Sequence, residues 1–485
     1  MARSSESSGN GDKTRRSPSG DGSPAAGGPT PEVGAPGTTG RYLVLLRTDA
    51  MEAGMRTLSD VAGLTVANTA DIEGGAVDTS TLASGNAIVF DKLAIAVVDT
   101  PPDQIRMLGT AATEESGILA IEPERVVYAL EQAWPTPVAE PATNGPSVPP
   151  VTLPSPVAAA NGRLSVEYLS GYRDAVDHLV DQVLGTSGMA TRATAEAGVA
   201  VDESVLTWGL QVTKVAESRY TGKGVRVAVL DTGLDVGHPD FAGRRIVTQS
   251  FVPGQDVQDG HGHGTHCIGT SMGPKQPGQL PRYGIAYEAD IYAGKVLSNQ
   301  GSGSDSGILA GINWAITNGC AVVSMSLGAA VLPGQGFSRI FEAVARRALA
   351  AGTLIVAAAG NESHRPDYIK PVGHPANCPS IMAVAAIDSQ LQVTFFSCAG
   401  LNLQGGQVDI AAPGLQVRSS WPRPTLYRTI SGTSMATPHV AGIAALYAEA
   451  NPDVRGGALG WLLLQSARRL DQSTRDIGAG LVQAP

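Results

Sequence analysis

The second half of the chain, from about residue 205 onward, alternates short apolar runs with stretches of helical spacing. The runs are rich in Val, Ile and Ala, as expected for strands that are covered on both faces. They are Val225–Leu230, Ile291–Val296, Ala321–Met325, Leu354–Ala357 and Ile381–Ala385. This pattern predicts an α/β fold with a mostly parallel sheet and helices on both faces. In such a sheet, functional loops follow the carboxyl ends of the strands.

The chain has 485 residues, more than one domain usually requires, so we expect several units. Residues 1–40 are rich in Ser, Gly and Pro, and this composition predicts disorder. Residues 41–132 show the order β-α-β-β-α-β and predict a small α+β domain. Residues 133–204 are a Pro-rich linker with one amphipathic helix near 165–184. Residues 205–485 make up the α/β domain.

Composition excludes several classes of partner. The net charge is −10 and no long basic run occurs, so nucleic acid is not expected to bind. No apolar run reaches the roughly 18 residues of a membrane span, so we expect no membrane association. The first forty residues contain no apolar h-region, which predicts a cytoplasmic protein, with export by another route as the alternative.

The four cysteines, Cys267, Cys320, Cys378 and Cys398, are few and scattered. Such spacing does not indicate a disulfide framework, and it favours buried free thiols. A single bridge between Cys378 and Cys398 stays open as an alternative. Unpaired thiols agree with a reducing compartment.

Three segments carry the residue types that acyl transfer requires. VAVLDTG places Asp231 after an apolar run, DGHGHGTHCIGT places His263 in a Gly-rich turn, and SGTSMATPHVAG places Ser434 at a helix start. A nucleophile needs a base that takes its proton and a carboxylate that fixes the tautomer of the base. The chain supplies these groups in the order Asp, His, Ser. In sequence and in order, the three segments resemble those of the subtilisin-like serine proteases.

The resemblance implies a serine endopeptidase that hydrolyses peptide bonds through an acyl-enzyme and requires no cofactor or metal. VAAAGNES places Asn361 where the family has a side-chain donor to the oxyanion. The backbone N–H of Ser434 is the implied second donor, with assistance from Thr433. Cys267, which follows the His motif, resembles the cysteine of the proteinase K branch and implies sensitivity to mercury.

The resemblance also implies a set of residues that bind a peptide or protein substrate. Two strand edges would pair with the substrate backbone, and a pocket of small residues would admit a large apolar or aromatic side chain before the cut. The implied residues are Gly301, Ser302 and Gly303 at one edge, Ser326, Leu327 and Gly328 at the other, Ala358, Ala359 and Gly360 in the pocket wall, and Gly373 at its floor.

Residues 41–132 resemble the inhibitory propeptide of the family in position, element order and the segment GILAIEPERVVYAL. We therefore expect a zymogen whose own N-terminal domain acts as an intramolecular inhibitor, with a tail that lies in the cleft. Self-cleavage is expected between about Tyr128 and Val205, most readily near Leu130–Ala133. The competing interpretation is a catalytically silent relative that binds peptides without cutting them.

A zinc site is one alternative for the histidine-rich segment. His261, His263, His266 and Cys267 have short spacings that zinc sites also use. A metal site would leave the Ser434 motif unexplained, so we expect His266 to be a hydrogen-bonded structural residue. The same expectation holds for the histidine at position 439, and the residue at 261 is expected at the rim of the cleft.

Acidic residues suggest two further alternatives. Asp231-Thr-Gly and Asp305-Ser-Gly resemble the two halves of an aspartic protease, but no apolar strand precedes Asp305. Asp240, in GHPDF, matches a position that binds calcium in many members of the family. The resemblance therefore allows a calcium ion there, although no second acidic loop supplies further ligands.

Overall fold

The computed structural model describes residues 37–71, 85–112, 116–131 and 202–485. The predicted helix near 165–184 lies outside the described residues, as does most of the Pro-rich linker. Within the four described ranges, no helix has both the length and the apolar character needed to cross a bilayer.

The first described part combines a sheet with two helices. Its elements are β1 (Thr38–Leu46), α1 (Met51–Ala62), β2 (Thr65–Asn68), β3 (Asn86–Phe90), β4 (Ile95–Asp99), α2 (Pro102–Ala111) and β5 (Ile118–Ala129). This series contains the predicted order and one further short strand, β2, which pairs in parallel with β3. β1 lies between β5 and β4 and is antiparallel to both. The last strand is longer than the predicted one and begins well before Arg125.

β1 begins at Thr38, inside the segment 1–40 for which composition predicted disorder. Thr38 pairs with Arg125 of β5, and the Arg41 guanidinium lies 2.7 Å from the buried carboxylate of Glu124. The prediction of disorder is therefore wrong for the last residues of the segment. Their order depends on partners that lie far along the chain, which local composition cannot reveal.

The second described part, residues 202–485, contains eleven strands and seven α-helices. The strands are β6 (Arg226–Asp231), β7 (Ile246–Ser250), β8 (Asp290–Lys295), β9 (Ser302–Ser304), β10 (Val322–Met325), β11 (Leu327–Gly328), β12 (Leu354–Ala358), β13 (Met382–Ile387), β14 (Ile410–Pro413), β15 (Val417–Ser420) and β16 (Tyr427–Ile430). The helices are α3 (Trp208–Val212), α4 (His263–Met272), α5 (Asp305–Thr317), α6 (Arg339–Ala350), α7 (Thr433–Ala450), α8 (Gly457–Ser466) and α9 (Thr474–Ile477).

Seven of these strands form one sheet in the order β14-β13-β12-β10-β6-β8-β7. Every neighbouring pair in it is parallel. All residues of β10, β12 and β13 are buried, as expected for strands that are covered on both faces. The predicted α/β fold with a parallel sheet is confirmed.

The N-terminal sheet connects the two parts. One face of it packs with α1 and α2 around Val44 and Leu46, while the other face, with Leu43 and Leu45, joins the large core. This second face lies against α5 and α6. β5 then extends away from its own sheet and runs between β9 and β11, antiparallel to both. The end of β5 therefore reaches the carboxyl ends of the parallel strands.

Candidate active site

Asp231 and His263 form a buried pair at the carboxyl end of β6. Asp231 is the last residue of that strand, and His263 is the first residue of α4. Their side chains are 1% and 0% exposed, and Asp231 Oδ1 lies 2.7 Å from His263 Nδ1. Among the described residues, the other imidazole nitrogen, Nε2, has no hydrogen-bond partner. This geometry fixes one tautomer of the ring and leaves Nε2 able to accept a proton.

The environment of His263 has two opposing effects on its pKa. Burial disfavours the charged imidazolium, but the adjacent Asp231 carboxylate stabilises it, with smaller contributions from Cys267. The carboxylate prevails and raises the pKa of His263 well above its usual value. A basic imidazole of this kind can take a proton from a hydroxyl and hold it.

Asp259 organises the turn that leads into His263, and sequence analysis did not single it out. Its Oδ1 accepts hydrogen bonds from the backbone N–H groups of His261 (3.0 Å) and Gly262 (2.7 Å). Its Oδ2 accepts from the N–H (2.9 Å) and the hydroxyl (2.7 Å) of Thr265. An Asp that precedes a Gly-rich turn and a helix start is the signal that could have revealed this role.

Ser434 is the second residue of α7, and its side chain is fully buried. Its Oγ donates to the carbonyl oxygen of Ser326 at 3.0 Å, and Ser326 Oγ donates in return to the Ser434 carbonyl oxygen at 2.8 Å. The Cys267 thiol donates to the same Ser434 carbonyl oxygen at 3.5 Å and lies 3.9 Å from His263 Nδ1. Ser434 and His263 thus both lie next to Cys267, as the sequence motifs predicted.

Asn361 presents its amide to the end of β5. Its Oδ1 accepts from the Thr433 N–H (2.9 Å) and from the Thr433 hydroxyl (2.8 Å), which fixes the orientation of the amide. Its Nδ2 then donates to the carbonyl oxygen of Leu130 at 2.7 Å. A Cβ added at Gly432 would stand 2.7 Å from that same oxygen, so only glycine permits this approach. Thr433 therefore acts through Asn361.

The two predicted edges both pair with the N-terminal chain. The register places Ser304, Gly303 and Ser302 opposite Val126, Val127 and Tyr128, and it places Gly328 and Leu327 opposite Tyr128 and Ala129. The ladder continues with the Ala129 N–H donating to Gly301 O at 2.8 Å and the Leu130 N–H donating to Ser326 O at 3.4 Å. A substrate peptide that binds as an added strand would pair with both edges in the same arrangement.

The small residues of the predicted pocket lie near the end of this ladder. Leu130 Cδ1 is 3.2 Å from the point where a Cβ at Gly328 would stand. The Gly373 N–H donates to Ala359 O at 2.9 Å, which joins the predicted floor to the predicted wall. A Cβ at Gly360 would meet the Cys398 sulfur at 3.0 Å, and Ala358 is buried at the end of β12.

His266 and His439 bond to backbone carbonyls and do not join His263 and Cys267 as zinc ligands. His266 Nε2 bonds to Val417 O at 3.0 Å, and His439 Nδ1 bonds to Met435 O at 2.8 Å. Burial lowers the pKa of His266 to about 3 and that of His439 to about 4, so both rings stay neutral. They are structural residues, as predicted. The ring of His261 lies 6.2 Å from that of His263.

The Asp240 carboxylate is surrounded by hydrogen-bond donors. It accepts from the Tyr283 hydroxyl (2.6 Å), the Tyr427 hydroxyl (3.1 Å) and the Gly278 N–H (2.8 Å). Burial and the nearby carboxylate raise the pKa of Tyr427 to about 12 and also raise that of Tyr283, so both hydroxyls keep their protons. Calcium needs six to eight oxygen ligands, and this ring of donors does not suit a cation.

Asp305 does not meet Asp231, which removes the geometric basis for an aspartic protease. One Asp305 oxygen lies 2.9 Å from His374 Nε2, and the other accepts the Arg125 N–H at 3.0 Å. The Asp231 carboxylate instead bonds to His263 Nδ1 and accepts the Thr232 N–H, both at 2.7 Å. All four cysteines are free and buried, so no bridge joins Cys378 to Cys398.

Comparison with known proteins agrees with this geometry. The sequence model of the Subtilase family matches residues 222–480. Subtilisin Savinase from Lederbergia lenta is 41% identical over 281 residues, which cover 57% of this chain and 96% of that protein. Subtilisin E from Bacillus subtilis (strain 168) is 40% identical over 261 residues, which cover 53% of this chain and 62% of that protein.

Among solved structures, Sphericase superposes with a TM-score of 0.51 and 31% sequence identity, covering 57% of this chain and 98% of the other. The match to Subtilisin E spans less than two thirds of its length. The matched family region contains Asp231, His263, Asn361 and Ser434. The chain belongs to the subtilase family.

Proposed function

We propose that this protein is a serine endopeptidase that cleaves peptide bonds through an acyl-enzyme. The observation that carries the proposal is the position of Leu130, whose carbonyl oxygen accepts the Asn361 amide at 2.7 Å beside the start of α7. A developing oxyanion at that carbonyl would keep and strengthen this hydrogen bond. Peptides and proteins are the proposed substrates.

In this proposal, Ser434 Oγ exchanges its hydrogen bond with Ser326 for one with His263 and attacks the substrate carbonyl carbon. His263 Nε2 takes the hydroxyl proton, and Asp231 keeps the opposite nitrogen protonated and stabilises the imidazolium. Asn361 donates to the oxyanion. His263 then gives the proton to the leaving amine, and water hydrolyses the acyl-enzyme by the same steps with water as nucleophile.

A fluorophosphonate probe tests the nucleophile. Wild type should form a covalent adduct at Ser434, while Ser434→Ala should form none. His263→Ala should label far more slowly because the hydroxyl loses its base. Absence of labelling in folded wild type from which the N-terminal part has been removed would favour the catalytically silent relative.

We also propose that the protein is made as a zymogen whose N-terminal domain inhibits it. The tail of β5 occupies both strand edges, and Glu122 bonds to the Ser338 hydroxyl (2.6 Å) and the Arg339 N–H (2.8 Å) at the start of α6. Glu124 accepts the Ser306 N–H at 2.9 Å at the start of α5. These carboxylates complement the positive ends of both helices.

Inhibition can be measured with the N-terminal part added in trans. A peptide of residues 37–131 should inhibit processed enzyme, and the same peptide with Glu122→Gln and Glu124→Gln should inhibit more weakly. Equal activity with and without the unmodified peptide would refute the proposed inhibitor. A permanent regulatory or folding role would be the remaining interpretation.

For specificity, we propose a preference for a large apolar residue immediately before the cut. The support is Leu130 itself, whose side chain lies against Gly328. Cleavage of a peptide library followed by sequencing of the products tests this, and a strict requirement for Arg or Lys would refute it.

A cytoplasmic location is also a proposal, supported by the four buried free thiols. Fractionation of native cells decides it, and recovery of the active enzyme outside the cells would refute it.

A further inference from the structure

The last residues of β5, from Arg125 onward, form the tail that pairs with β9. This tail makes one contact with a residue that follows β9. The ladder between β5 and β9 ends with Val126 opposite Ser304, where the partner chain turns into α5. The next residue of the tail, Arg125, donates its N–H to a side-chain oxygen of Asp305 at 3.0 Å. Arg125 is the sixth residue counted back from the bond after Leu130. The Asp305 carboxylate thus replaces the backbone acceptor that the ladder lacks at this point.

The same carboxylate faces the charge of the arginine. Arg125 Nη1 lies 3.6 Å from Asp305 Oδ2, and with the N-terminal part in place the Asp305 side chain is 0% exposed. Asp305 Oδ1 is held at 2.9 Å by His374 Nε2, and the His374 ring packs edge-on against Phe341 with ring centroids 4.7 Å apart. Because one oxygen is fixed by the histidine, the other is directed to the incoming chain. A buried carboxylate at this position favours a cation and disfavours an anion.

Within the described residues, one other carboxylate lies within 4 Å of the guanidinium. Glu122 Oε2 is 3.7 Å from Arg125 Nη1, but Glu122 belongs to β5 itself and already bonds to Ser338 and Arg339. A separate substrate chain need not carry an acid at the position that corresponds to Glu122. Asp305 is therefore the acid that the enzyme part contributes to a basic residue of any bound chain.

We propose that Asp305, held by His374, is a specificity residue that selects a basic side chain at the sixth position before the scissile bond. The inference rests on the proposed endopeptidase function and extends it to a position remote from the reacting carbonyl. Asp305 contributes in two ways: its carboxylate accepts the backbone N–H of any residue there, and its charge discriminates among side chains.

The test uses quenched fluorescent peptides that differ at a single side chain. Their common sequence is X-Val-Val-Tyr-Ala-Leu-Glu-Gln-Ala, taken from residues 125–133, with X as Arg, citrulline or Glu. Citrulline keeps the shape and hydrogen-bond donors of arginine and removes its charge. For enzyme obtained by expression of the full chain, kcat/KM should be about five- to tenfold higher with Arg than with citrulline, which is between the effects of exposed and of desolvated ion pairs. The Glu peptide should be the poorest.

Two variants separate the charge of Asp305 from general effects. Asp305→Asn should cleave the Arg and citrulline peptides at equal rates, and it should cleave both more slowly than wild type cleaves the Arg peptide. Asp453→Asn removes the same charge from an exposed position and should keep the full preference for Arg. If Asp305→Asn fails to fold, wild type alone can test the inference. Its preference for the Arg peptide over the citrulline peptide should decrease as the salt concentration is raised.

Equal cleavage of the Arg and citrulline peptides by wild type would overturn the inference, as would a preference for Arg that survives in Asp305→Asn. In both of these outcomes the peptides are cut, so the proposed endopeptidase function stands. If wild type cuts none of the peptides although the fluorophosphonate probe labels Ser434, the inference fails and the proposed function stands. If enzyme freed of its N-terminal part is neither labelled nor active, the proposed function fails.

Discussion

The Asn361 side-chain amide donates to the carbonyl oxygen of Leu130 at 2.7 Å, while its own oxygen accepts two hydrogen bonds from Thr433. Through this hydrogen bond, a side chain of the matched family region contacts a backbone carbonyl of the N-terminal part. Under the proposed mechanism the Leu130 carbonyl is the one that would be attacked, and its donor is already oriented by Thr433. A preoriented donor needs little reorganisation during the reaction.

Replacement of Asn361 by Leu should lower kcat by about 10²–10³-fold, a magnitude measured for such a donor in a subtilisin, and should change KM little. Thr433→Val should have a smaller effect in the same direction, because the amide is kept but one of its two hydrogen bonds to Thr433 is lost. Steady-state kinetics on one peptide substrate compare both variants. An Asn361→Leu variant with unchanged kcat would contradict the role of the amide.

Activity should fall as the pH decreases through the pKa of His263. The Asp231 carboxylate raises that pKa, and the imidazole must be neutral to take the Ser434 proton. The acidic limb of kcat/KM should therefore lie above the usual histidine value of about 6.5. Asp231→Asn should move this limb to lower pH and reduce kcat by about 10⁴-fold. A limb that does not move in Asp231→Asn would contradict this assignment.

Mercuric ion should inhibit the enzyme through Cys267. Possible ligand atoms of Asp231, His263 and Cys267 all lie within 4.8 Å of one another, so a soft metal bound there would block the imidazole. Burial raises the pKa of the Cys267 thiol to about 11, so a bulky alkylating reagent should react slowly. Cys267→Ala should stay active in mercuric ion, whereas Cys320→Ala, which also removes a buried thiol, should be inhibited like wild type. Equal inhibition of both variants would contradict the site.

The hydrogen bonds to Asp240 should stabilise the fold without calcium. In the Ser434→Ala background, which prevents self-digestion, Tyr283→Phe should lower the free energy of unfolding by about 1–3 kcal/mol. Tyr427→Phe should have a smaller effect, because that residue is only partly buried. Urea unfolding with and without EDTA measures both effects. A loss of stability in EDTA that Asp240→Asn abolishes would show that a cation binds there after all.

Much of the fold could be predicted from the sequence because the central strands are continuous apolar runs. All five predicted runs coincide with strands of the parallel sheet to within two residues at either end. β7 (Ile246–Ser250) was not predicted, since its polar residues and partial exposure obscure the run. β14 (Ile410–Pro413) was not predicted either, because four residues that end in proline do not resemble a strand.

In the candidate site too, residues within sequence motifs could be predicted, whereas roles that depend on contacts in the folded chain could not. Asp231, His263 and Ser434 stand in long motifs, so the sequence pointed to them directly. The roles of Asp259 and Thr433 depend on hydrogen bonds within folded turns. The hydrogen bond between Asp305 and His374 joins residues 69 positions apart, and no local sequence pattern predicts such a contact.

The most direct test of the whole account is to express the full 485-residue chain as wild type and as Ser434→Ala, and to determine the fragments by intact mass and terminal sequencing. Because the Leu130 carbonyl lies at Asn361, wild type should release an N-terminal fragment that ends at Leu130, and the variant should remain full length. Asn361→Leu should process slowly at the same bond. An intact wild-type chain, or the same cut in Ser434→Ala, would contradict the account.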